Sequence, residues 1–286
     1  MRYEAPQTLD DAVRLLSGES GLAKVLAGGT DLLVQIRTDL IEPDLIVDIK
    51  GIGEVRAIKE EGGGFRIGAA VTGAELEEHP TFGKIWPGVL EGFNLIGSTQ
   101  VQGRATMGGN LCNGSPAADS IPALIAGDAV ATIAGPNGTR ELPVADIIIG
   151  PRKLAIAKDE FVVSFFLPAR PAKASDAYLR FIPRTEMDIA VVGAGVNITV
   201  DDSGTISAAK VSLGAVAPRP VLVPDAAKAI IGTKLEDAAL DKFGAACSAA
   251  CNPIDDKRGT IEYRTKVAAV IAQRTAKIAY ERARSK

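Results

Sequence analysis

The chain has 286 residues, of which 47% are hydrophobic and 23% are charged. At roughly 150 residues per domain, this length predicts about two domains. The 32 basic and 35 acidic residues give a net charge of −3, which lacks the basic excess of a nucleic-acid-binding protein. No apolar run approaches the ~20 residues of a membrane-spanning helix, and the N-terminus shows no signal-peptide pattern. We therefore expect a cytoplasmic protein with no transmembrane segment and no nucleic-acid partner.

The scarcity of histidine and cysteine excludes most metal chemistry on this chain. Its one histidine is His79, and its cysteines are Cys112, Cys247 and Cys251. A zinc site takes about four ligands and an iron–sulfur cluster usually takes four thiolates, so we expect no metal site. A Ser–His–Asp triad would have to use His79, which precedes Pro80 in an acidic turn, and this position argues against a triad. In the cytoplasm the three cysteines are expected to be reduced.

The first 170 residues alternate short helices, strands and glycine-rich loops. Thr72 followed by Glu75 has the spacing of a capping box and predicts the start of a helix. The polar, glycine-rich segment 97–119 is expected to hold little regular structure, and its length indicates a functional loop. In chain order, the predicted elements are a helix over 8–16, a strand over 24–26, a helix over 32–37, a strand over 45–49, a hairpin over 55–59 and 65–70, helices over 72–78 and 85–95, a hairpin over 129–133 and 139–142, and a strand over 161–167.

Two prolines, Pro168 and Pro171, mark a linker and place a domain boundary near residue 171. The segments 190–200 and 206–217 flank a polar turn with a glycine, which predicts a hairpin. The tail has helical periodicity. The elements predicted after the linker are strands over 177–182, 190–200 and 206–217, followed by helices over 224–231, 235–251 and 261–284.

Thirty of the 286 residues are glycine, a larger fraction than the average of roughly 7%. One glycine cluster follows a predicted strand in the segment VLAGGTDL, residues 25–32. Glycines allow backbone N–H groups to converge on a ligand, and the following helix adds partial positive charge suited to a phosphate. The loop has neither the lysine of a Walker motif nor the Gly-x-Gly-x-x-Gly of a Rossmann unit. A tight turn without a ligand would use the same residues and stands as the alternative.

A second glycine cluster lies in the segment TMGGNLCNGSPAAD, residues 106–119. It concentrates hydroxyl and amide side chains without clustered charge, which suits a polar ligand with many hydrogen-bonding groups. Asp119 would accept hydrogen bonds from ribityl or ribose hydroxyls. The alternative is that Asp119 caps the helix predicted to begin at Ser120.

Together with YLRFIPRTEMDIAVVGAGV at residues 178–196, these two loops resemble the FAD-binding medium subunit of molybdenum hydroxylases, a family that includes xanthine dehydrogenase and aerobic carbon monoxide dehydrogenase. The resemblance extends over essentially the whole chain. It implies an α+β fold, with a vanillyl-alcohol-oxidase-type FAD-binding domain over 1–171 made of two α+β subdomains of about 1–55 and 56–171. It also implies a flavoprotein C-terminal domain over 172–286, with a three-stranded antiparallel sheet and a helical bundle.

The resemblance also implies which residues contact FAD. Arg180 stands where many members have a lysine at the polar edge of the flavin, and arginine keeps the charge with a different geometry. Arg180 and Arg184 are candidates for stabilising anionic reduced flavin, with surface salt bridges as the alternative. The implied contacts are Val25, Leu26, Ala27, Gly28, Gly29, Thr30, Asp31 and Leu32 for the pyrophosphate; Thr106, Gly109, Asn110 and Asn113 for the second phosphate and the ribityl chain; Asp119 for cofactor hydroxyls; Ile96 against the flavin or adenine; Val163 at the ring system; and Arg180.

The resemblance implies the function of an FAD-carrying electron-transfer subunit of a heterotrimer, and an assembly in which two such heterotrimers form a dimer. Electrons would arrive from [2Fe–2S] clusters on a small subunit, after hydroxylation by a large molybdopterin subunit, and leave to NAD⁺, a quinone or oxygen. Carbon monoxide dehydrogenases resemble Ala-Gly-Gly-His-Ser at the first loop, so Thr30 and Asp31 count against carbon monoxide as the substrate. The alternatives are a self-sufficient FAD-dependent reductase or oxidase of the same fold and a non-redox nucleotide-binding scaffold.

Overall fold

A short parallel sheet opens the chain in a computed structural model that describes residues 1–286. Its strands lie in the order β1-β3-β2, with Val25 opposite Val47. Thr8 begins the first helix, because its hydroxyl accepts the N–H of Asp11 at 3.1 Å. The elements of this part are β1 (Arg2–Glu4), α1 (Leu9–Gly18), β2 (Ala23–Leu26), α2 (Leu32–Arg37) and β3 (Leu45–Asp48), followed by 3₁₀ turns at Ile49–Gly51 and Gly53–Arg56.

A five-stranded antiparallel sheet follows, in the order β4-β5-β10-β6-β7, and its helices pack over a core that includes Phe65, Phe93 and Phe165. The predicted capping box is confirmed: Thr72 and Glu75 bond reciprocally at the start of α3. The elements are β4 (Ile58–Glu61), β5 (Gly64–Gly68), α3 (Gly73–Glu77), α4 (Phe82–Ile85), α5 (Pro87–Asn94), α6 (Thr99–Gln102), α7 (Met107–Cys112), α8 (Ser120–Ala126), β6 (Val130–Gly135), β7 (Gly138–Pro143), β8 (Ile148–Gly150), β9 (Lys153–Leu154) and β10 (Phe161–Leu167), with a 3₁₀ turn at Val144–Asp146.

The structure differs from two expectations for this part. The segment 97–119 holds more regular structure than expected, because it contains the short helices α6 and α7. The glycines inside α7 concealed the helix, because glycine is a poor helix former. The helix predicted over 85–95 is present as α5 but begins at Pro87, while Ile85 ends α4, because Pro87 cannot donate the hydrogen bond that would continue α4.

The C-terminal part packs a sheet against helices. The sheet is antiparallel and has four strands in the order β11-β12-β13-β14, one strand more than the three expected. That strand pairs Val221 with Leu213 and is only two residues long, too short for an alternating pattern. The elements are β11 (Ala174–Phe181), β12 (Val192–Val200), β13 (Ile206–Gly214), β14 (Val221–Leu222), α9 (Pro224–Ile230), α10 (Asp237–Ala249) and α11 (Ile261–Arg284). None of the helices has the length and apolarity needed to cross a membrane.

Helix α8 joins the two parts, because it is buried at every residue and packs on β12 and β13. Glycines in the sheet make this approach possible. A Cβ atom on Gly195 would lie 2.5 Å from the carbonyl oxygen of Pro122 in α8. The close contact brings the beginning of α8, and Asp119 just before it, against β11.

The predicted linker is held in place by a buried ion pair. Arg170 and Asp176 are joined at 2.8 Å, with side chains 4% and 2% exposed. The Arg170 guanidinium also lies 3.7 Å from the centre of the Trp86 ring, and Asp176 accepts the N–H of Val89 at 2.9 Å. These bonds tie the chain between the two sheets to α4 and α5, so the proline-rich composition does not indicate a free hinge.

Candidate functional site

A cavity of about 430 Å³ lies between the β2–α2 loop, helix α7 and the segment 152–162. This volume is within the range of small-molecule sites. Its apolar wall offers aliphatic and aromatic side chains against which a flat ring can pack. That wall includes Leu16, Val25, Ile41, Ile49, Ile96, Leu154, Ile156, Phe161 and Val162.

The β2–α2 loop supplies hydrogen-bond donors to the cavity. The backbone N–H groups from Gly28 to Leu32 donate to no protein acceptor. Gly29 has a φ of +79°, which turns the chain tightly. Asp31 occupies the position before α2, yet its side chain makes no capping bond. Consecutive free N–H groups in a turn form an anion-binding concavity, so the loop can hold a phosphate.

Gly28 is required by a contact between the two glycine loops. A Cβ atom at this position would lie 2.0 Å from the backbone carbonyl oxygen of Arg104, just before the second loop. No side chain can be accommodated at such a separation without moving backbone. The glycine therefore allows the two loops to close around one cavity.

Helix α7 forms the facing wall. Thr106 caps it, since its Oγ1 accepts the N–H of Gly109 at 3.1 Å. Gly108 packs so closely on Ala69 that a Cβ atom would lie 2.7 Å from the Ala69 carbonyl oxygen. Asn110 lines the cavity, and its Oδ1 accepts the hydroxyl of Ser120 at 2.7 Å. The second loop is therefore a rigid wall with polar groups.

Charged side chains around the cavity favour an anion. Lys24, Arg152 and Lys158 line it, against the acidic Asp31 and Glu160. Glu160 already pairs with Arg140 at 2.8 Å outside the lining. Enclosure by the cavity walls raises the pKa of Asp31, because its ionised form is less well hydrated. The balance around the cavity is thus positive, which complements a pyrophosphate.

Sequence reasoning missed Arg152 and Lys158, along with Leu154 and Ile156. No motif marks the segment that holds them. Arg152 adopts a left-handed φ of +56° and donates its N–H to Gly114 at 2.9 Å. This contact carries the segment to the second glycine loop, and no pattern within the segment encodes it.

Most of the predicted cofactor residues line this one cavity, and four do not. Leu26 and Val163 are buried behind the wall, 8% and 5% exposed. The carbonyl of Val163 accepts the N–H of Ala69 at 2.9 Å, so it is already used within the protein. Asp119 and Arg180 lie beyond the wall. The predicted residues that line the cavity are Val25, Ala27, Gly28, Gly29, Thr30, Asp31, Leu32, Ile96, Thr106, Gly109, Asn110 and Asn113.

Asp119 and Arg180 form a buried pair at 2.6 Å, with side chains 10% and 6% exposed. The second carboxylate oxygen of Asp119 accepts the hydroxyl of Tyr178 at 2.9 Å. Burial raises the pKa of Asp119 to about 6, although Arg180 and Tyr178 both favour the ionised form. Asp119 occupies the position just before α8, as the capping alternative expects, but its side chain makes no capping bond there.

The two candidate arginines differ in environment. Arg180 is buried, so a surface salt bridge does not describe it. Arg184 is 68% exposed and pairs with Asp188 at 3.1 Å, which is the surface salt bridge considered as its alternative. The two arginines are four residues apart in the sequence, and nothing in the sequence indicates that one is buried and the other exposed.

No group of three or more His, Cys, Asp and Glu side chains is arranged to hold a metal ion. His79 accepts the N–H of Phe82 on its Nδ1 at 3.3 Å and packs edge-on against Phe65. These contacts make His79 a structural residue of the α3–α4 turn.

Comparisons with known proteins match both parts of the chain. Residues 1–170 match the FAD binding domain in molybdopterin dehydrogenase, and residues 177–279 match the CO dehydrogenase flavoprotein C-terminal domain. The chain is 34% identical to the xanthine dehydrogenase FAD-binding subunit of Escherichia coli O157:H7 over 221 residues, 77% of this chain and 75% of that protein. It is 34% identical to the carbon monoxide dehydrogenase medium chain of Afipia carboxidovorans over 284 residues, 99% of this chain and 98% of that one.

The fold agrees with these matches. A solved structure of Cu,Mo-CO dehydrogenase contains a chain that superposes with a TM-score of 0.94 at 33% identity, covering 99% of this chain and 98% of that one. The chain belongs to the FAD-binding subunits of the molybdenum hydroxylases, the oxidoreductase family of xanthine dehydrogenase and carbon monoxide dehydrogenase.

Proposed function

We propose that FAD binds in the cavity with its pyrophosphate on the β2–α2 loop. The observation that carries this proposal is the run of backbone N–H groups from Gly28 to Leu32 that have no protein acceptor. Donors left without a partner in a concave turn are costly unless a ligand or water satisfies them. Lys24, Arg152 and Lys158 add the positive charge that a pyrophosphate requires.

The remaining predicted residues would surround such a cofactor. Thr106, Gly109, Asn110 and Asn113 would contact the second phosphate and ribityl chain from α7, and Ile96 would pack against a ring. Asp119, just before α8, and Arg180, in β11, would approach the cofactor from beyond the cavity wall. The backbone near Val163 would approach it from β10. Bound FAD supplies two-electron chemistry, and the chain supplies its binding, orientation and electrostatic surroundings.

We further propose that this flavin relays electrons between other components. A small subunit with [2Fe–2S] clusters would donate them after hydroxylation by a large molybdopterin subunit, and NAD⁺, a quinone or oxygen would accept them. The absence of any metal-binding cluster in this chain supports separate donors. Relatives named for xanthine and for carbon monoxide share this type of chain, which is expected if another polypeptide selects the substrate. A dimer of heterotrimers in the cytoplasm is the proposed assembly.

We also propose a division of the chain at residue 171. Residues 1–171 would form a vanillyl-alcohol-oxidase-type domain, with subdomains of about 1–55 and 56–171 that correspond to the parallel and the antiparallel sheet. Residues 172–286 would form the C-terminal domain. Two large core clusters support the division at residue 171, because one is formed by residues before it together with Tyr178 and the other only by residues after it.

The direct test is the visible absorbance of the purified chain after gel filtration. We expect oxidised flavin to remain bound. A folded, colourless protein that does not take up added FAD would contradict the proposal. The isolated chain should not oxidise an organic substrate, and it should pass electrons from NADH to a dye if NAD⁺ is the natural acceptor. Hydroxylation by the lone chain, with metals verified absent, would favour the self-sufficient flavoenzyme.

Chemical labelling of Cys112 offers a test of the proposed FAD site that does not depend on the family assignment. Its side chain lines the cavity and is exposed, and desolvation by the surrounding protein raises the pKa of the thiol to about 12. The thiol should react slowly with iodoacetamide at alkaline pH, and saturating FAD should slow that reaction at least about tenfold, because the cofactor covers the cavity. Cys112→Ser should abolish the FAD-sensitive labelling. Equal labelling with and without FAD would place the cofactor elsewhere.

A further inference from the structure

We propose that Tyr178 is a positioning residue of the cofactor site, whose hydroxyl holds Asp119 in the orientation and charge state that accept cofactor hydroxyls. This inference rests on the proposed function, because it concerns the same FAD. Tyr178 does not line the cavity, and it would act on the cofactor only through Asp119.

The ring of Tyr178 is held in place by the packing of the C-terminal sheet. Its side chain is among the largest fully buried ones. A Cβ atom on Gly193 in the neighbouring strand β12 would lie 2.4 Å from the Tyr178 hydroxyl oxygen, so the glycine leaves room for this group. The backbone N–H of Tyr178 donates to Glu91 Oε2 in α5 at 3.0 Å. The hydroxyl is therefore fixed 2.9 Å from Asp119 Oδ1.

This arrangement leaves capacity for a ligand on Asp119. Tyr178 donates to Oδ1 and Arg180 donates to Oδ2, so each oxygen accepts one of these hydrogen bonds. A carboxylate oxygen can accept two hydrogen bonds, so one position on each oxygen remains. Ser120, the next residue, donates to Asn110 in the cavity wall at 2.7 Å. Asp119 is therefore adjacent in the chain to a residue that bonds to the wall of the proposed FAD site.

The surroundings make the charge of Asp119 depend on few groups. Strand β11 contributes Tyr178 and Arg180, and Arg180 also reaches the carbonyl of Asp188 at 3.4 Å. From α5 and α11, Glu91 and Arg282 pair with each other. The α7 and α8 side contributes only neutral groups at Asn110 and Ser120. Burial opposes ionisation, so each donor to the carboxylate matters to its charge.

Tyr178→Phe removes only the hydroxyl, and Tyr280→Phe is the matched control. The Tyr280 hydroxyl also donates within the C-terminal part, to the carbonyl of Gly204 at 2.8 Å, far from Asp119 in the chain. The FAD dissociation constant of each protein is measured between pH 5 and pH 8.5. We expect wild-type affinity to weaken below about pH 6, where Asp119 takes a proton.

In Tyr178→Phe the pH midpoint of the change in FAD affinity should rise by about one unit, the size expected for one hydrogen bond to a charged group. FAD should then bind about fivefold more weakly at pH 6 and equally well at pH 8, relative to wild type. Tyr280→Phe should keep the wild-type midpoint. Asp119→Asn should bind FAD with no midpoint in this range.

A purely structural tyrosine would weaken FAD binding equally at every pH, and an unmoved midpoint in Tyr178→Phe would overturn the inference while leaving the proposed function intact. A midpoint that persists in Asp119→Asn would also overturn it. Wild-type protein that binds no FAD at any pH would instead overturn the proposed function, and the inference with it.

Discussion

The first glycine loop and the Asp119 cluster are two ways of building one candidate site. The loop is made within eight consecutive residues, and its donors from Gly28 to Leu32 have no protein partner. The cluster joins Asp119 to residues about sixty positions away, Tyr178 and Arg180, and both carboxylate oxygens have protein donors. The loop offers backbone N–H donors that have no protein partner. In the cluster, burial disfavours the charged form of Asp119, whereas Arg180 and Tyr178 favour it.

The difference teaches how each region responds to change. The loop depends on backbone geometry, so substitutions there should alter ligand binding through close contacts. The cluster depends on electrostatics, so substitutions there should alter stability and its pH dependence. Four predictions test this contrast, from the largest expected effect to the smallest.

The largest effect is expected from removing the cation of the buried pair. Arg180→Met leaves the carboxylate of Asp119 buried without its partner, and such a loss typically costs about 3–5 kcal/mol. Arg184→Met is the control, since its exposed pair contributes at most about 1 kcal/mol. Urea unfolding at pH 7 measures both. Equal losses in the two variants would show that Arg180 does not stabilise Asp119.

Gly28→Ala should disrupt the contact between the glycine loops. Its Cβ would lie 2.0 Å from the Arg104 carbonyl oxygen, and overpacking of this kind costs about 1–3 kcal/mol. FAD retention through gel filtration should fall sharply, because the two walls of the cavity separate. Gly53→Ala, where a Cβ meets nothing within 4 Å, should retain FAD fully. Normal retention in Gly28→Ala would mean that the loops need not touch.

Asp119 should make stability depend on pH in the acidic range. Its folded pKa of about 6 lies above its ordinary value, so the native state holds the proton more tightly than the unfolded state. The contribution of Asp119 to the free energy of unfolding therefore decreases as pH rises from about 4 to about 6, by at most about 1.4 kcal/mol per pH unit. Above about pH 6 this contribution is constant. The difference in unfolding free energy between wild type and Asp119→Asn, measured from pH 4 to pH 8, should show this slope. A flat difference would contradict the raised pKa.

The smallest effect is expected at Thr106, which caps α7 on the cavity wall. Thr106→Ala should cost ~1 kcal/mol of stability and weaken FAD binding up to about tenfold. Thr260→Ala removes the equivalent cap of α11, away from the cavity, and should cost the same stability with unchanged FAD binding. If both variants bind FAD like wild type, Thr106 acts only as a cap.

Local signals in the sequence determined much of this protein. The capping box at Thr72, the hairpin strands, the strand–glycine–helix order of residues 25–32 and the long final helix each depend on residues a few positions apart. Such features follow from backbone preferences and from hydrogen bonds between near neighbours. The family resemblance rests on the same short segments, and twelve of its expected cofactor residues line the cavity.

Only the tertiary structure decided the features that join distant segments. It brought Arg152 and Lys158 to the cavity and added β14 to the C-terminal sheet. It also separated Arg180, which is buried on Asp119, from Arg184, which is exposed four residues later. The physical reason is that burial and pairing depend on which elements pack together. Here the glycines of β12 admit α8 against the sheet, and that contact gives Asp119 its partners and its raised pKa.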